Sequence, residues 1–412
     1  MRGKSKKSRP TKSSKAPETS KKRGLIILII IVVLVGAFLY VTNPDIRAKF
    51  YSWIGISQAD SVQQNSPDQV SGKSKPKRKT TKIDANIPKV IKPGKYADLD
   101  KYARETPDKY SHDKVTLAKY LQKPAKNDVE KARLIYTWIA THIRYDDEAF
   151  NTGKAKDESV KSVLARRTAN SDGFSTLFLE LGSLMKLNVE KIAGHTKGYG
   201  FQKGEKFSSN HTWNAVRIGR AWQLMDVTWG GSYAETTEKG LKSTMQFDPY
   251  WFSVKPDALI FSHLPENNSW QLVSQVLTPK QYGDLPLLKE SFFKMGFDSK
   301  KALQQSLSGE TREFVETFDL DYPVNGAELP ITKKLERGKE YTFSIESEYL
   351  ETVVLVDGGQ RIELKREGNS HKITYVPKAE KLQIAVKVNS FDEKFSVLAV
   401  YDIVDKKNLT AP

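Results

Sequence analysis

Residues 96–312 predict a mixed helix-and-strand unit, and residues 313–412 predict an all-β sandwich of immunoglobulin-like type. One transmembrane helix over 25–41 precedes both. Three patterns carry this division. An uncharged apolar run fills 25–41. Apolar residues recur at helical spacing from Asn127 onward and give way to strand alternation near Val189. Beyond Phe314 only short alternating runs remain, punctuated by Gly, Asn, Asp and Pro.

The net charge of +17 would suggest a nucleic-acid partner only if a folded surface carried it. Residues 1–24 hold ten Lys/Arg against one Glu, and residues 57–95 hold nine Lys/Arg against three Asp. The folded residues from 96 on are therefore nearly neutral, which excludes a basic groove tracking a phosphate backbone. Cysteine is absent, so there are no disulfides, no thiolate metal site and no thiol chemistry. The His residues at 112, 142, 195, 211, 263 and 371 show no paired ligand spacing, and no phosphate-binding glycine loop occurs. Neither a metal nor a cofactor is expected.

Residues 1–24 are polar, basic and rich in Ser, the composition of a disordered tail. Leu25 to Val41, LIILIIIVVLVGAFLYV, is just long enough to span a hydrocarbon core, with Tyr40, Tyr51 and Trp53 as interface anchors. A cleaved signal peptide fits less well: the basic region ahead is long and no small-residue cleavage site follows. The basic excess before the span places the N-terminus in the cytoplasm and the bulk of the chain outside, as a single-pass signal anchor. Residues 42–95 read as a disordered basic tether. Its cluster from Lys73 to Lys82 is a solvated linker or a contact for anionic lipid or wall polymer.

In the folded part, Asn127 is positioned to cap a helix in which Val129, Ala132, Tyr136, Ile139 and Ile143 form one apolar stripe. A shorter helix over 159–167 precedes Asn170-Ser171-Asp172. The next helix buries Phe174, Leu177, Phe178, Leu181, Leu184 and Met185. Strands are expected over Val189–Ala193, His211–Ile218 and Ala221–Trp229, the last two joined through Gly219-Arg220 in a type II′ turn. Six or seven further strands are expected between Phe314 and Val404.

The hairpin register has a chemical consequence. If Gly219-Arg220 is the turn, Trp213 faces Asp226, and Asp226 is the diagonal neighbour of His211 on the same face. Diagonal neighbours lie about 7–8 Å apart, within side-chain reach. An Asp there would fix the imidazole tautomer. Ser171 sits at a helix N-terminus, where unpaired N–H groups favour a developing anion. Each residue also has an ordinary structural reading: Ser171 as a helix cap, with Asn170 or Asp172 able to do the same job, and His211 as a partly buried residue beside Trp213.

The helix KARLIYTWIATHIRYD, the segments ANSDGFSTLF and GHTKGYG, the hairpin HTWNAVRIGRAWQLMDVTWG and the trailing DPYWF…P…WQL occur in a specific order over residues 115–290. In this the chain resembles the transglutaminase-like superfamily, with its nearest look to the kyphoscoliosis-peptidase branch. The resemblance implies a papain-like α+β fold, a helix packed on an antiparallel sheet. It also implies that His211 and Asp226 are the catalytic His and Asp, and that Ser171 stands where the family has its nucleophilic Cys. Trp138, Tyr145, Trp213 and Trp229 are candidates for lining or supporting the cleft.

That serine decides the functional expectation. A thiol of pKa about 8.5 can be held by a neighbouring His as a thiolate, whereas a hydroxyl needs concerted general-base help from a differently placed ring. A site shaped for sulfur leaves the shorter Oγ misplaced, at a cost of about a hundredfold. The first reading is therefore a membrane-anchored, extracytoplasmic pseudoenzyme that binds peptide, protein or cell-envelope polymer in a retained cleft. The alternatives are an active Ser171–His211–Asp226 amide hydrolase or acyltransferase, and a structural or assembly protein acting through the sandwich.

Overall fold

Helix α1, Asp128–His142, begins where Asn127 caps it: the Asn127 side chain accepts the Glu130 N–H at 3.0 Å. Its burial is not the single stripe the periodicity predicts, for every residue from Ala132 to Ala140 is buried. The polar members of that run are satisfied internally. Arg133 donates to both oxygens of Asp100, at 2.7 and 2.8 Å, and Thr137 Oγ1 donates to Asp100 at 2.7 Å. Asp100 lies on a short helix, Ala97–Arg104, that has no counterpart in the sequence reading. The computed structural model describes residues 94–409 apart from 321 and 389–393, all within one compact unit.

Helix α2, Ser171–Leu184, is capped by Asn170, whose Oδ1 accepts the N–H of Asp172 and of Gly173 at 2.9 and 3.1 Å. It buries Phe174, Leu177, Phe178 and Leu181 as expected, and Met185 just beyond its end. Leu184, expected inside, is 38% exposed. The buried face runs through Leu181 to Met185, so Leu184 falls on the outer flank of the last turn. Gly173 is required by close packing: a Cβ there would collide with the Glu158 carboxylate and the Ala169 side chain.

The helices pack on an antiparallel sheet built from β1 (Asn188–Thr196), β2 (His211–Ile218), β3 (Ala221–Met225), β4 (Phe252–Val254) and β5 (His263–Pro265). Its spatial order is β4-β3-β2-β1-β5. Register pairs such as Asn214 with Met225 and Ile218 with Ala221 match the predicted hairpin. Of the two turn residues only Gly219 takes a positive φ, +61°, as a type II′ turn requires. The strand expected to reach Trp229 stops at Met225, because the Asp226 N–H leaves the hairpin and donates to the Trp251 carbonyl at 3.0 Å.

The later strands form two sheets. One runs in the order Glu316–Thr317, Ser396–Val404, Lys381–Lys387, Thr352–Asp357, Gln360–Glu363, with Lys334–Glu336 parallel to Ser396–Val404. The other runs Asn325–Glu328, Tyr341–Glu346, Ser370–Tyr375, Lys365–Glu367. The inner faces meet, as where the Phe343 and Tyr401 rings lie edge to face at 5.8 Å. The expected span over Leu25–Val41 lies outside the described residues. Among the described residues no helix is long and apolar enough to cross a membrane.

Candidate functional site

Asp226 is the centre of the site. It is 1% exposed, on the turn that follows β3. Its Oδ1 accepts the backbone N–H groups of Thr228 and Trp229, both at 2.9 Å. Its Oδ2 accepts from His211 Nε2 at 2.7 Å and from His263 Nε2 at 3.0 Å. Burial alone would raise the carboxyl, but the His211 charge and N–H and the His263 N–H outweigh it and hold Asp226 well below the usual carboxylate range.

His211 opens β2 and pairs across β1 with Gly194. With Nε2 given to Asp226, its Nδ1 engages no partner among the described residues. An ionised carboxylate only accepts, so a neutral His211 carries its proton on Nε2 and keeps an acceptor lone pair on Nδ1. Trp213, 1% exposed, stacks against His211 at 6.3 Å between ring centroids, and half-buried Trp229 stands 6.0 Å away.

Ser171 is half-buried at the first residue of α2, and among the described residues its hydroxyl bonds to neither His211 nor any other group. Helix α2 is tied to β2 nearby, where Asn214 Nδ2 donates to the Ser175 carbonyl at 3.1 Å. Two first-turn N–H groups are already consumed by the Asn170 cap. Tyr145 stands beside this segment, paired in parallel with Ala169, and burial followed by the charges of Asp147 and Asp146 pushes its hydroxyl up to about 12. Trp138 is fully buried in α1, stacked on His142 at 4.8 Å, with the Arg167 guanidinium over its ring at 5.3 Å.

A family model described as the transglutaminase-like superfamily matches residues 115–227. This stretch is a transglutaminase-like domain. Kyphoscoliosis peptidase of Mus musculus is 32% identical over 178 residues, 43% of this chain and 27% of that protein. The Homo sapiens protein of that name is 30% identical over 203 residues, 49% of this chain and 30% of its own. Hillarin of Drosophila melanogaster is 24% identical over 219 residues, covering 50% and 26%. The domain belongs to the kyphoscoliosis-peptidase-like branch, and this chain spans less than a third of these relatives' length.

Two residues of this cluster escape sequence reasoning. His263 lies within the aromatic-rich segment after the hairpin, and nothing in its spacing ties it to Asp226, 37 residues away. Glu158 accepts the Asn170 N–H at 3.3 Å under the start of α2. Burial raises its carboxyl, against the opposing Arg166 charge and that N–H. The ligand atoms of His211, Asp226 and His263 lie within 4.8 Å of one another. In space, then, they have the composition of a two-His, one-carboxylate metal set that linear spacing does not reveal, although N–H donation accounts for their geometry.

An aromatic rim flanks the candidate site. Phe150 (48% exposed) and Tyr199 (37%) meet edge to face at 5.7 Å, and Tyr145 lies 6.2 Å from Phe150. At Gly198, next to Tyr199, a Cβ would touch the Trp229 ring at 3.1 Å. The rim therefore links the segment ahead of Ser171 to the surroundings of His211.

Proposed function

We propose that this chain is a membrane-anchored, extracytoplasmic transglutaminase-like protein of papain-like core that binds a peptide or cell-envelope polymer without turning it over. One observation carries the reading: the His211–Asp226 pair is formed, yet the Ser171 hydroxyl engages neither His211 nor any other described residue. A serine nucleophile needs a base in hydrogen-bond contact to become reactive, and the chain contains no cysteine to replace it. The exposed rings of Phe150 and Tyr199 supply rigid contact area at low entropic cost, as binding surfaces do. The apolar run Leu25–Val41 with its basic flank supports the anchor, and the two facing sheets after residue 313 support an immunoglobulin-like module.

The intact His211–Asp226 pair favours a second reading, a Ser171–His211–Asp226 hydrolase or acyltransferase. Amide and ester turnover by the purified protein, lost on Ser171→Ala, would establish that reading and overturn the first. The first expects no turnover, and a Ser171→Cys thiol alkylated no faster than free cysteine. It also expects co-sedimentation with insoluble cell-wall polymer, or retention of envelope peptides, that weakens at least tenfold in Phe150→Ala/Tyr199→Ala.

A further inference from the structure

We propose that His263 is a positioning residue: acting through Asp226, it locks His211 in the tautomer that carries the proton on Nε2 and presents Nδ1 as an acceptor. The inference rests on the His211–Asp226 pair alone and holds whether or not Ser171 turns anything over.

The carboxylate has no freedom to offer a different oxygen. Oδ1 is filled by the Thr228 and Trp229 N–H groups, so both imidazoles must share Oδ2, at 2.7 and 3.0 Å. A buried Oδ2 with His211 as its sole donor would keep an unfilled lone pair. The same carboxylate could then swing, and the His211 ring could turn to donate from either nitrogen. His263 fills the remaining lone pair and removes that freedom.

His263 is itself held from behind. Its Nδ1 lies 2.7 Å from Ser262 Oγ, whereas the Leu259 carbonyl is 3.2 Å from the same hydroxyl. Asp226 Oδ2 can only accept, so Nε2 carries the N–H, and in the neutral ring Nδ1 is then the acceptor that the Ser262 hydroxyl can fill. The ring is 1% exposed and boxed by Trp229 at 4.6 Å, Trp213 at 5.0 Å and Trp251 at 5.7 Å between centroids. Such an enclosure disfavours imidazolium, and burial does push His263 below its ordinary value despite Asp226. A neutral His263 adds a dipole to the network and no competing charge.

The sheet is built to let the two rings meet. His211 on β2 and Pro265 on β5 both pair with Gly194 of the intervening β1. A Cβ at Gly194 would collide with the Leu264 carbonyl and the Trp213 ring. With no side chain there, the His211 and His263 rings approach to 5.8 Å edge to face.

The test is nitrogen NMR of the full chain in detergent micelles, labelled with ¹⁵N-histidine; six His residues keep the spectrum assignable. Wild-type His211 is expected to show one protonated Nε2 and one bare Nδ1. His263→Leu is expected to lose this signature, the two His211 nitrogens averaging toward each other, and His263→Gln, whose amide can still donate, is expected to restore it. If His263→Leu does not fold, Ser262→Ala decides, with partial averaging expected once Nδ1 of His263 loses its donor. A His211 signature unchanged in the folded variants would overturn the proposal. So would one equivalent of tightly held zinc in the wild type that is lost in His263→Gln, because both Nε2 atoms would then be metal ligands and not proton donors.

Discussion

Asp226 takes four donors on two oxygens, so its replacement strands several buried groups at once. Asp226→Ala is expected to cost about 3–5 kcal/mol in denaturant unfolding, and more than Asp226→Asn, which keeps one acceptor oxygen. The pH dependence has a fixed sign. Asp226 is held below its unfolded value, so its contribution is complete above about pH 4 and is lost as pH falls through the folded value. The difference in Tm between wild type and Asp226→Asn should therefore be widest near neutrality and shrink below about pH 4. His263 is also lowered. For a buried neutral imidazole this means that the unfolded chain takes up the proton first, so stability declines on acidification starting near pH 6.5. A stability profile flat from pH 7 to 5 would contradict this. At this scale the residue types at 211 and 226 were legible because one hairpin joins them. His263 and Glu158 were not, because a lone His and a lone Glu carry no spacing signal.

At the scale of elements, local chemistry was the better guide. Asn127 and Asn170 cap α1 and α2, and Gly219 takes the positive φ the turn demands. Each of these depends on neighbours within four residues. Asn170→Ala is expected to cost about 0.5–2 kcal/mol, and Gly219→Ala about 1 kcal/mol through its φ alone. Gly194→Ala should cost more than either, because backbone and a buried indole stand in the way. Equal losses at 219 and 194 by chemical denaturation would argue against the close approach. Helix α1 marks the limit of periodicity. It shows an apolar stripe, yet it is buried nearly all round because Asp100 neutralises Arg133 from another element. The hairpin of Ser232–Thr237 and Gly240–Met245 is mostly exposed polar sequence, so no alternation announced it.

Across the whole molecule, residues from Ile260 to Leu303 and the strands beyond Phe314 share one hydrophobic cluster. Phe292 touches both sides of that seam, stacked on Phe297 at 4.4 Å and edge-on to Phe314 at 5.6 Å. Phe292→Ala is expected to cost about 3–5 kcal/mol and to loosen residues 260–303 and the C-terminal sheets together. Backbone hydrogen exchange accelerated on only one side of that seam would refute the coupling. The amino-acid order sufficed for helix caps, hairpin register and the meeting of His211 with Asp226, since these arise from contacts close in sequence. Only the tertiary structure decided that β5 pairs with β1 and delivers His263 to the same carboxylate oxygen. It also decided that the Ser171 hydroxyl is left out of the network. Both outcomes depend on how distant elements pack, and no local period or propensity encodes that.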